Sequence, residues 1–394
     1  MKKIPQGWSL TRIGEVCEVV RGASPRPAGD PRYFDGDFLP WITVAEVTGA
    51  YGMHLEKTKS FLTEDGSKFT RTIPPNTLIL TNSGATLGVP KITKIWAGAN
   101  DGIAMLLNPV GVTNEYLYFV LESRTAYFRN HLAPGNGQPN LNTDLIKEEP
   151  LLLPPCSEQS RITELGVLWD KAVENTERLI AAKEMRHRAL LIHLLGKRVW
   201  SESRHERADA LFDPISERNR PDLPVLAVTQ DQGVVPRAML DRRITMELSD
   251  PATFKVVRED DFVISLRSFQ GGLEHSAYDG LVSPAYTVLR CRPALLPRFY
   301  RHYLKSPDFL KRLAVAVVGI RDGKQINFTD FASIRLPLPS LKRQQDIATV
   351  LDESEHEIAL LKEQAEKLRL QKRGLMQKLL TGQWRMPVAE AEAA

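Results

Sequence analysis

A stretch that this chain writes twice, without a gap and 185 residues apart, constrains its fold more than any other feature. Residues 151–195 read LLLPPCSEQSRITELGVLWDKAVENTERLIAAKEMRHRALLIHLL, and residues 336–380 read LPLPSLKRQQDIATVLDESEHEIALLKEQAEKLRLQKRGLMQKLL. The shift pairs Leu153 with Leu338, Pro154 with Pro339, Gln159 with Gln344, Ile162 with Ile347, Arg188 with Arg373 and Leu194 with Leu379. In the second copy Ile347, Leu351, Ser354, Ile358, Leu361, Ala365, Leu368, Lys372, Leu375 and Leu379 alternate spacings of four and three, a heptad seam. The first copy places Ile162, Gly166, Trp169, Val173, Thr176, Ile180, Lys183, His187, Leu190 and Leu194 there, a weaker seam with small and polar interruptions.

Each copy opens on a proline-bearing apolar run, which blocks helix upstream, so the helices are expected to start near Ser157 and Ser340. Gly196 and Gly382 close them. Two long helices with one apolar stripe each bury those stripes most simply against each other. The expected fold class is therefore α+β: two globular mixed α/β domains joined by two long helices that form an antiparallel intramolecular coiled coil. From Ile162 to Leu195 such a helix spans about 50 Å.

The rest of the chain falls before or between these copies. The expected plan is a globular domain over 1–150, a spacer helix region over 151–198, a linker and second globular domain over 199–335, a second spacer over 336–384 and a disordered tail over 385–394. In the first domain 14–20, 38–44, 77–81 and 103–107 read as strands and 115–121 as a helix, continuing through 126–132. Residues 196–222 are charged and irregular and read as a linker and entry to the second domain. The second domain repeats the first: 260–266 parallels 75–81, 298–304 parallels 115–121, and 326–331 parallels 140–145.

Composition excludes several classes. With 42% hydrophobic and 25% charged residues the chain can bury real cores, and its net charge of +4 permits nucleic-acid binding only through a local patch. Cys17, Cys156 and Cys291 have no metal or redox spacing, the histidines lack a zinc pattern, and no apolar run is long enough for a membrane helix. A cytoplasmic protein is expected. No phosphate-cradling GxxxxGK[ST] loop is present, nor the Asn/Asp-Pro-Pro-Tyr run of a base-flipping adenine methyltransferase. Pro307-Asp308 followed by Asp322-Gly-Lys324 has the spacing of a magnesium nuclease signature, but Ser306-Pro-Asp reads better as a capped helix start.

Polar and basic loops recur at equivalent places in both globular domains. The first offers Arg21, Arg26, Asn82, Ser83, Thr86, Asn136, Gln138 and Asn140; the second offers Arg267, Ser268, Gln270, Arg321, Lys324 and Gln325. Arg, Lys, Asn and Gln pair with base edges in the major groove, while Ser, Thr and glycine amides suit phosphates. These residues are the candidate DNA contacts. The same loops are also ordinary turn chemistry, and a coiled-coil scaffold whose domains bind protein is the alternative.

The entry Ile4-Pro-Gln-Gly-Trp-Ser-Leu-Thr-Arg-Ile-Gly-Glu-Val16, the motif Leu153-Pro-Pro-Cys-Ser-Glu-Gln-Ser-Arg-Ile162 and the domain-and-helix repeat resemble the specificity (S) subunit of Type I restriction-modification systems. The resemblance implies two target recognition domains, each reading one half of a bipartite site in double-stranded DNA, with the helices fixing the gap. It implies a non-catalytic chain without a cofactor of its own. S-adenosylmethionine is expected in two partner methyltransferase (modification) subunits, and two motor-nuclease (restriction) subunits are further expected partners. Glu158, Gln159, Arg161 and Gln344 are the candidate partner-binding residues. The second copy departs by carrying Arg343 where the first has Glu158, and the second domain lacks a clear Pro-x-Gly-Trp entry.

Overall fold

A computed structural model of the chain describes residues 4–132, 140–240, 251–265, 268–293, 295–316 and 326–387. It divides into two compact units, Met1–Arg178 with Glu363–Ala394, and Leu179–Lys362. Each unit therefore holds one globular domain and a length of both long helices, Cys156–Leu195 and Leu341–Leu380.

The heptad seam is legible in the burial of both helices: none of the ten positions named in either copy is exposed. In the first unit the helices run antiparallel, since Asp170 meets Lys372 at 2.5 Å while Glu177 pairs with Arg369. In the second, Glu184 meets Lys362 at 2.7 Å and Lys183 meets Glu357 at 2.5 Å. The small and polar seam residues have specific partners. A Cβ added at Gly166 would lie 2.5 Å from the Phe119 ring, so glycine lets the helix approach the first domain. Lys372, a seam residue, reaches both Asp170 and Glu122 of the domain's own helix.

The first domain builds a five-stranded sheet in the order Glu18–Arg21, Ile103–Leu107, Leu78–Thr81, Pro90–Thr93, His54–Leu55. A four-stranded sheet adds Phe61–Leu62, Leu39–Ile42, Ala97–Ala99 and Arg71–Ile73. A separate antiparallel pair, Ser9–Arg12 with Pro150–Leu153, brings the domain's entry beside its exit. The second domain repeats the plan with Phe212–Ile215, Thr287–Cys291, Phe262–Ile264 and Glu274–His275, and with the pair Arg204–Arg207 and Arg335–Leu338. The core of the first unit joins Tyr116, Phe119 and Leu151 to Ile162, Met376 and Leu379 of the long helices; that of the second joins Phe212, Tyr300 and Leu336 to Leu195, Ile347 and Leu351.

Several expectations are corrected. Residues 14–20 are not one strand, because Ile13 and Val16 are buried at helical spacing; a helical turn Ile13–Val16 precedes the strand Glu18–Arg21. The strand expected over 38–44 stops at Ile42, where Thr43 caps the helix Val44–Gly49 by accepting from the Glu46 N–H. The 196–222 stretch is the entry to the second domain but less of a linker than expected: it forms the helices Lys197–Ser201 and Ala208–Leu211 and the strands Arg204–Arg207 and Phe212–Ile215, with its charges outward and Ala208, Leu211 and Phe212 buried. The helix over 115–121 does run on through 126–132 as expected, with α-turns over Asn114–Tyr127 and a closing π-turn over Phe128–Leu132. The tail expected from 385 is described as far as Pro387, and 388–394 lie outside the described residues.

One fastening recurs in both units. Gln159, fully buried, accepts from the Thr113 N–H at 3.0 Å and donates to Gly111 O and Pro154 O, each at 2.9 Å. Gln344, equally buried, accepts from the Leu296 N–H and donates to Pro339 O, both at 2.9 Å. Tyr116 and Tyr300 donate to the exit-strand carbonyls of Leu152 and Pro337 at 2.8 and 2.9 Å. Gln159→Leu and Gln344→Leu each leave buried backbone groups unpaired, so each is expected to lower stability by about 2–3 kcal/mol, measured by chemical denaturation. Native-like stability in both variants would contradict this role.

Candidate nucleic-acid interface

The strand Glu18–Arg21 is an edge strand of the five-stranded sheet, paired with Ile103–Leu107, and the chain after it leaves at the sheet's end as a loop. Backbone bonds from Gly22 to Ile103 and from Ala23 to Ala99 hold that loop at 2.9 and 3.0 Å. A second segment, Asn82 to Thr86, leaves the central strand Leu78–Thr81, on the other side of Ile103–Leu107, and Ser83 bridges Asn140. Arg21, Ser83 and Asn140 thereby line one concavity of about 300 Å³ together with Val44, Asn100, Asp101 and Gly102.

Asp101 organises this corner. Its carboxylate accepts from Ser24 Oγ at 2.7 Å and from Arg26 at 3.2 Å, and its carbonyl accepts from Arg21 Nε at 2.5 Å. The Ser24 hydroxyl in turn accepts from the Asp101 N–H. The hydrogen bond from Ser24, helped by the two guanidiniums, holds the Asp101 carboxyl below the usual carboxylate range despite partial burial. Two guanidiniums beside one carboxylate leave the corner net positive.

The other candidates divide. Thr86 is exposed, and its carbonyl accepts from Thr81 Oγ1 at 2.8 Å. Asn82 is 1% exposed and its side-chain amide has no partner among the described residues. In the second domain Ser268 is buried, accepting from the Ser265 N–H at 2.8 Å to close its own turn, and Gln270 belongs to the helical turn Ser268–Gly271. Asn136, Gln138, Arg267, Arg321, Lys324 and Gln325 lie outside the described residues. Sequence reasoning missed Asn100 and Asp101, which Asp101-Gly102 disguised as a plain turn.

The expectation that Glu158, Gln159 and Gln344 face a partner is corrected, because all three are buried and bonded within the chain. Glu158, with no exposed surface, accepts from Trp8 Nε1 at 2.8 Å, from Arg385 at 2.8 and 2.9 Å, and from the Met386 N–H at 3.2 Å. Arg385 and Met386 are thus tied down, which the tail's composition hid. Arg161 remains half-buried.

Two features bear on catalysis. Ser306 caps the helix Pro307–Ala316 by accepting from the Phe309 N–H, and Asp308 is bonded to Tyr303 and Arg312 at 2.9 and 2.8 Å, as a structural helix start requires; Asp322 and Lys324 lie outside the described residues. Among the described residues His302, Asp352 and Glu355 bring possible metal-ligand atoms within 4.8 Å of one another. Asp352 also receives Arg298 at 2.7 Å and Arg301 at 2.8 Å, and Glu355 receives Arg301 at 2.5 Å. Guanidiniums that stay charged already balance these carboxylates, so the group reads as an ion-pair network.

The sequence matches the Type I restriction modification DNA specificity domain over residues 5–180 and again over 216–370. The chain belongs to that family. It is 28% identical to the Type I restriction enzyme MjaIX specificity subunit of Methanocaldococcus jannaschii over 179 residues, which cover 45% of this chain and 41% of that relative's length. It is 19% identical to the MjaVIII specificity subunit of the same organism across 98% of this chain and 94% of the relative. In fold it is similar to a solved chain of a type I R-M system, at a TM-score of 0.64 and 20% identity, covering 98% of this chain and 100% of that one. The family's match over both domains agrees with the duplicated plan read from the helices. As specificity components, its members recognise DNA and do not carry the catalytic site.

Burial opposes the charge on Glu158, but the hydrogen bonds from Arg385, Trp8 and Met386 outweigh it and hold its carboxyl below the usual range. A depressed folded pKa contributes stability above the unfolded value and loses it as the pH falls through the folded one. Hydrogen exchange at Met386 and the Trp8 indole is therefore expected to accelerate as the pH drops below that range, after correction for intrinsic exchange. Glu158→Gln is expected to remove this response and to cost about 2 kcal/mol. An unchanged pH response in the variant would show that another group controls the tail.

Proposed function

We propose that this chain is the sequence-reading subunit of a Type I restriction-modification complex. Each globular domain reads one half of a bipartite site in double-stranded DNA, and the two helices set the distance between the halves. Catalysis and S-adenosylmethionine binding belong to partner methyltransferase subunits, and DNA translocation and cleavage to motor-nuclease subunits. The complex works in the cytoplasm; among the described residues no helix is long and apolar enough to cross a membrane.

The observation that carries this reading is the duplicated fastening of domain to helix by Gln159 and Gln344. A polar bond buried at the same place in two repeats holds each domain rigidly to its helix, as a reader at a fixed spacing requires. The candidate contacts Arg21, Arg26, Ser83 and Asn140 gather on one corner of the first domain. Sequencing of N6-methyladenine in cells carrying this gene and its modification partner, against cells lacking only this gene, is expected to reveal a bipartite motif that depends on it. With an active methyltransferase confirmed, absence of any such motif would overturn the reading.

Docking of two modification subunits draws on the helices' outer faces. Met185 is 74% exposed and Leu370, 185 residues later and equivalent in the repeat, is 60% exposed. Large apolar side chains left in water at matched positions suit two copies of one partner. Met185→Glu and Leu370→Glu are each expected to weaken one docking event by about tenfold. Native mass spectrometry would show one modification subunit lost in each single variant and both in the double; unaltered stoichiometry throughout would place docking elsewhere.

A further inference from the structure

The concavity beside Asp101 has the chemistry of a base-edge reader, and its arginines are not equivalent. Both face the Asp101 carboxylate, Arg26 at 3.2 Å and Arg21 Nη2 at 3.9 Å, but the Arg26 side chain is 70% exposed, whereas Arg21 is half exposed and lines the concavity. With Nε fixed on the Asp101 carbonyl at 2.5 Å, the Arg21 guanidinium cannot rotate freely, and its two Nη groups form an end-on fork. A fork of two donors matches the O6 and N7 acceptors of guanine in the major groove, and no other base offers two acceptors there. The backbone around the fork is also fixed: Gly102 N–H donates to Asn100 Oδ1 at 3.0 Å, and a Cβ at Gly102 would lie 2.9 Å from Ser83 Oγ. A glycine at 102 therefore keeps the floor of the concavity open.

Resting on the DNA-reading function proposed above, we propose that Arg21 reads a guanine in the half-site of the first domain, with Asp101 as the residue that positions it. Asp101 acts on Arg21 through its carbonyl, which holds Nε, and through its carboxylate, which lies 3.9 Å from Nη2 and also holds Ser24 and Arg26, so it presets the fork before DNA arrives. That lowers the ordering cost of binding at this position. Ser83 and Asn140, at the rim of the same concavity, face the base pairs beside it.

The test uses the full-length protein assembled with its modification subunit and measures methyl transfer to duplexes carrying its motif. Each guanine of the motif is replaced in turn by 7-deazaguanine, which lacks the N7 acceptor. The wild-type complex is expected to lose roughly 5- to 150-fold in kcat/KM at one guanine of one half-site. Arg21→Ala is expected to lose a comparable factor on unmodified DNA and to be indifferent to 7-deazaguanine at that position. Arg21→Lys, which keeps the charge without the planar fork, is expected to behave in the same way and guards against a folding failure of the alanine variant. Asp101→Asn, which keeps the main-chain carbonyl on Arg21 Nε and removes only the carboxylate charge facing Arg21 Nη2, is expected to relax discrimination at the same guanine in part and leave the other half-site unchanged, whereas a merely structural part would weaken every position of its half-site together.

A half-site without a guanine that answers to Arg21 would overturn the inference. So would an Arg21→Ala complex that weakens evenly on all sequences with a shallower salt dependence, the signature of a phosphate contact. If the wild-type complex methylates no bipartite motif, the underlying function fails instead, which separates the two failures.

Discussion

A single buried amide in each unit decides what the rest of the structure can be. Gln159 and Gln344 sit one turn inside the long helices, where an apolar residue would pack as well but could not pair the backbone groups that converge there. Each instead accepts from the N–H at the start of a domain helix and donates to the proline carbonyl just before its own helix. Domain, exit strand and long helix are thereby joined at one point. An unpaired donor or acceptor there would cost about 1–3 kcal/mol, so the joint favours one geometry over neighbouring ones.

That joint was half legible. The repeat drew attention to Gln159 and Gln344 as a matched pair, but polar residues at a helix start are mostly exposed, and the reading turned them outward toward a partner. Glu158 misled for the same reason: nothing in its neighbourhood announces that Trp8 and Arg385, far away in sequence, will close over it. By contrast the seam was readable position by position, because a spacing of three and four residues is a local geometric fact. Even its defects had meanings that only the fold supplies, Gly166 against Phe119 and Lys372 between Asp170 and Glu122.

The boundaries of short elements were the least legible part of the domains. Ile13 and Val16 fit one helical turn or an imperfect alternation equally well, and what decides is the Cys17 N–H bonding back to Ile13. The charged stretch after Gly196 concealed strands because its apolar residues are few; Ala208, Leu211 and Phe212 suffice once the second domain's core is there to receive them. The corner around Arg21 was legible as a set of residue types and not as a geometry. Arg21, Ser83 and Asn140 were candidates on chemistry alone, whereas Asp101, which holds Arg21 and Arg26, looked like part of a turn.

The departure between the two copies, Arg343 in place of Glu158, is answered by a reversal of charge rather than a loss of contact. In the first unit the residues that follow the second long helix return to the start of the first, and Arg385 pairs with Glu158. In the second unit the residues that follow the first long helix return to the start of the second, and Glu202 lies 3.6 Å from Arg343. The acid and the base have exchanged places. The two joints are not equal in strength: Glu158 is fully buried and takes hydrogen bonds from Trp8, Arg385 and Met386, while Arg343 and Glu202 are both partly in water. A solvent-exposed pair contributes about 0–1 kcal/mol, and in the second unit the charged bonds between domain and long helix lie elsewhere, where Arg298 and Arg301 meet Asp352 and Glu355. A duplicated plan has kept its geometry while letting each half choose its own means of closing it.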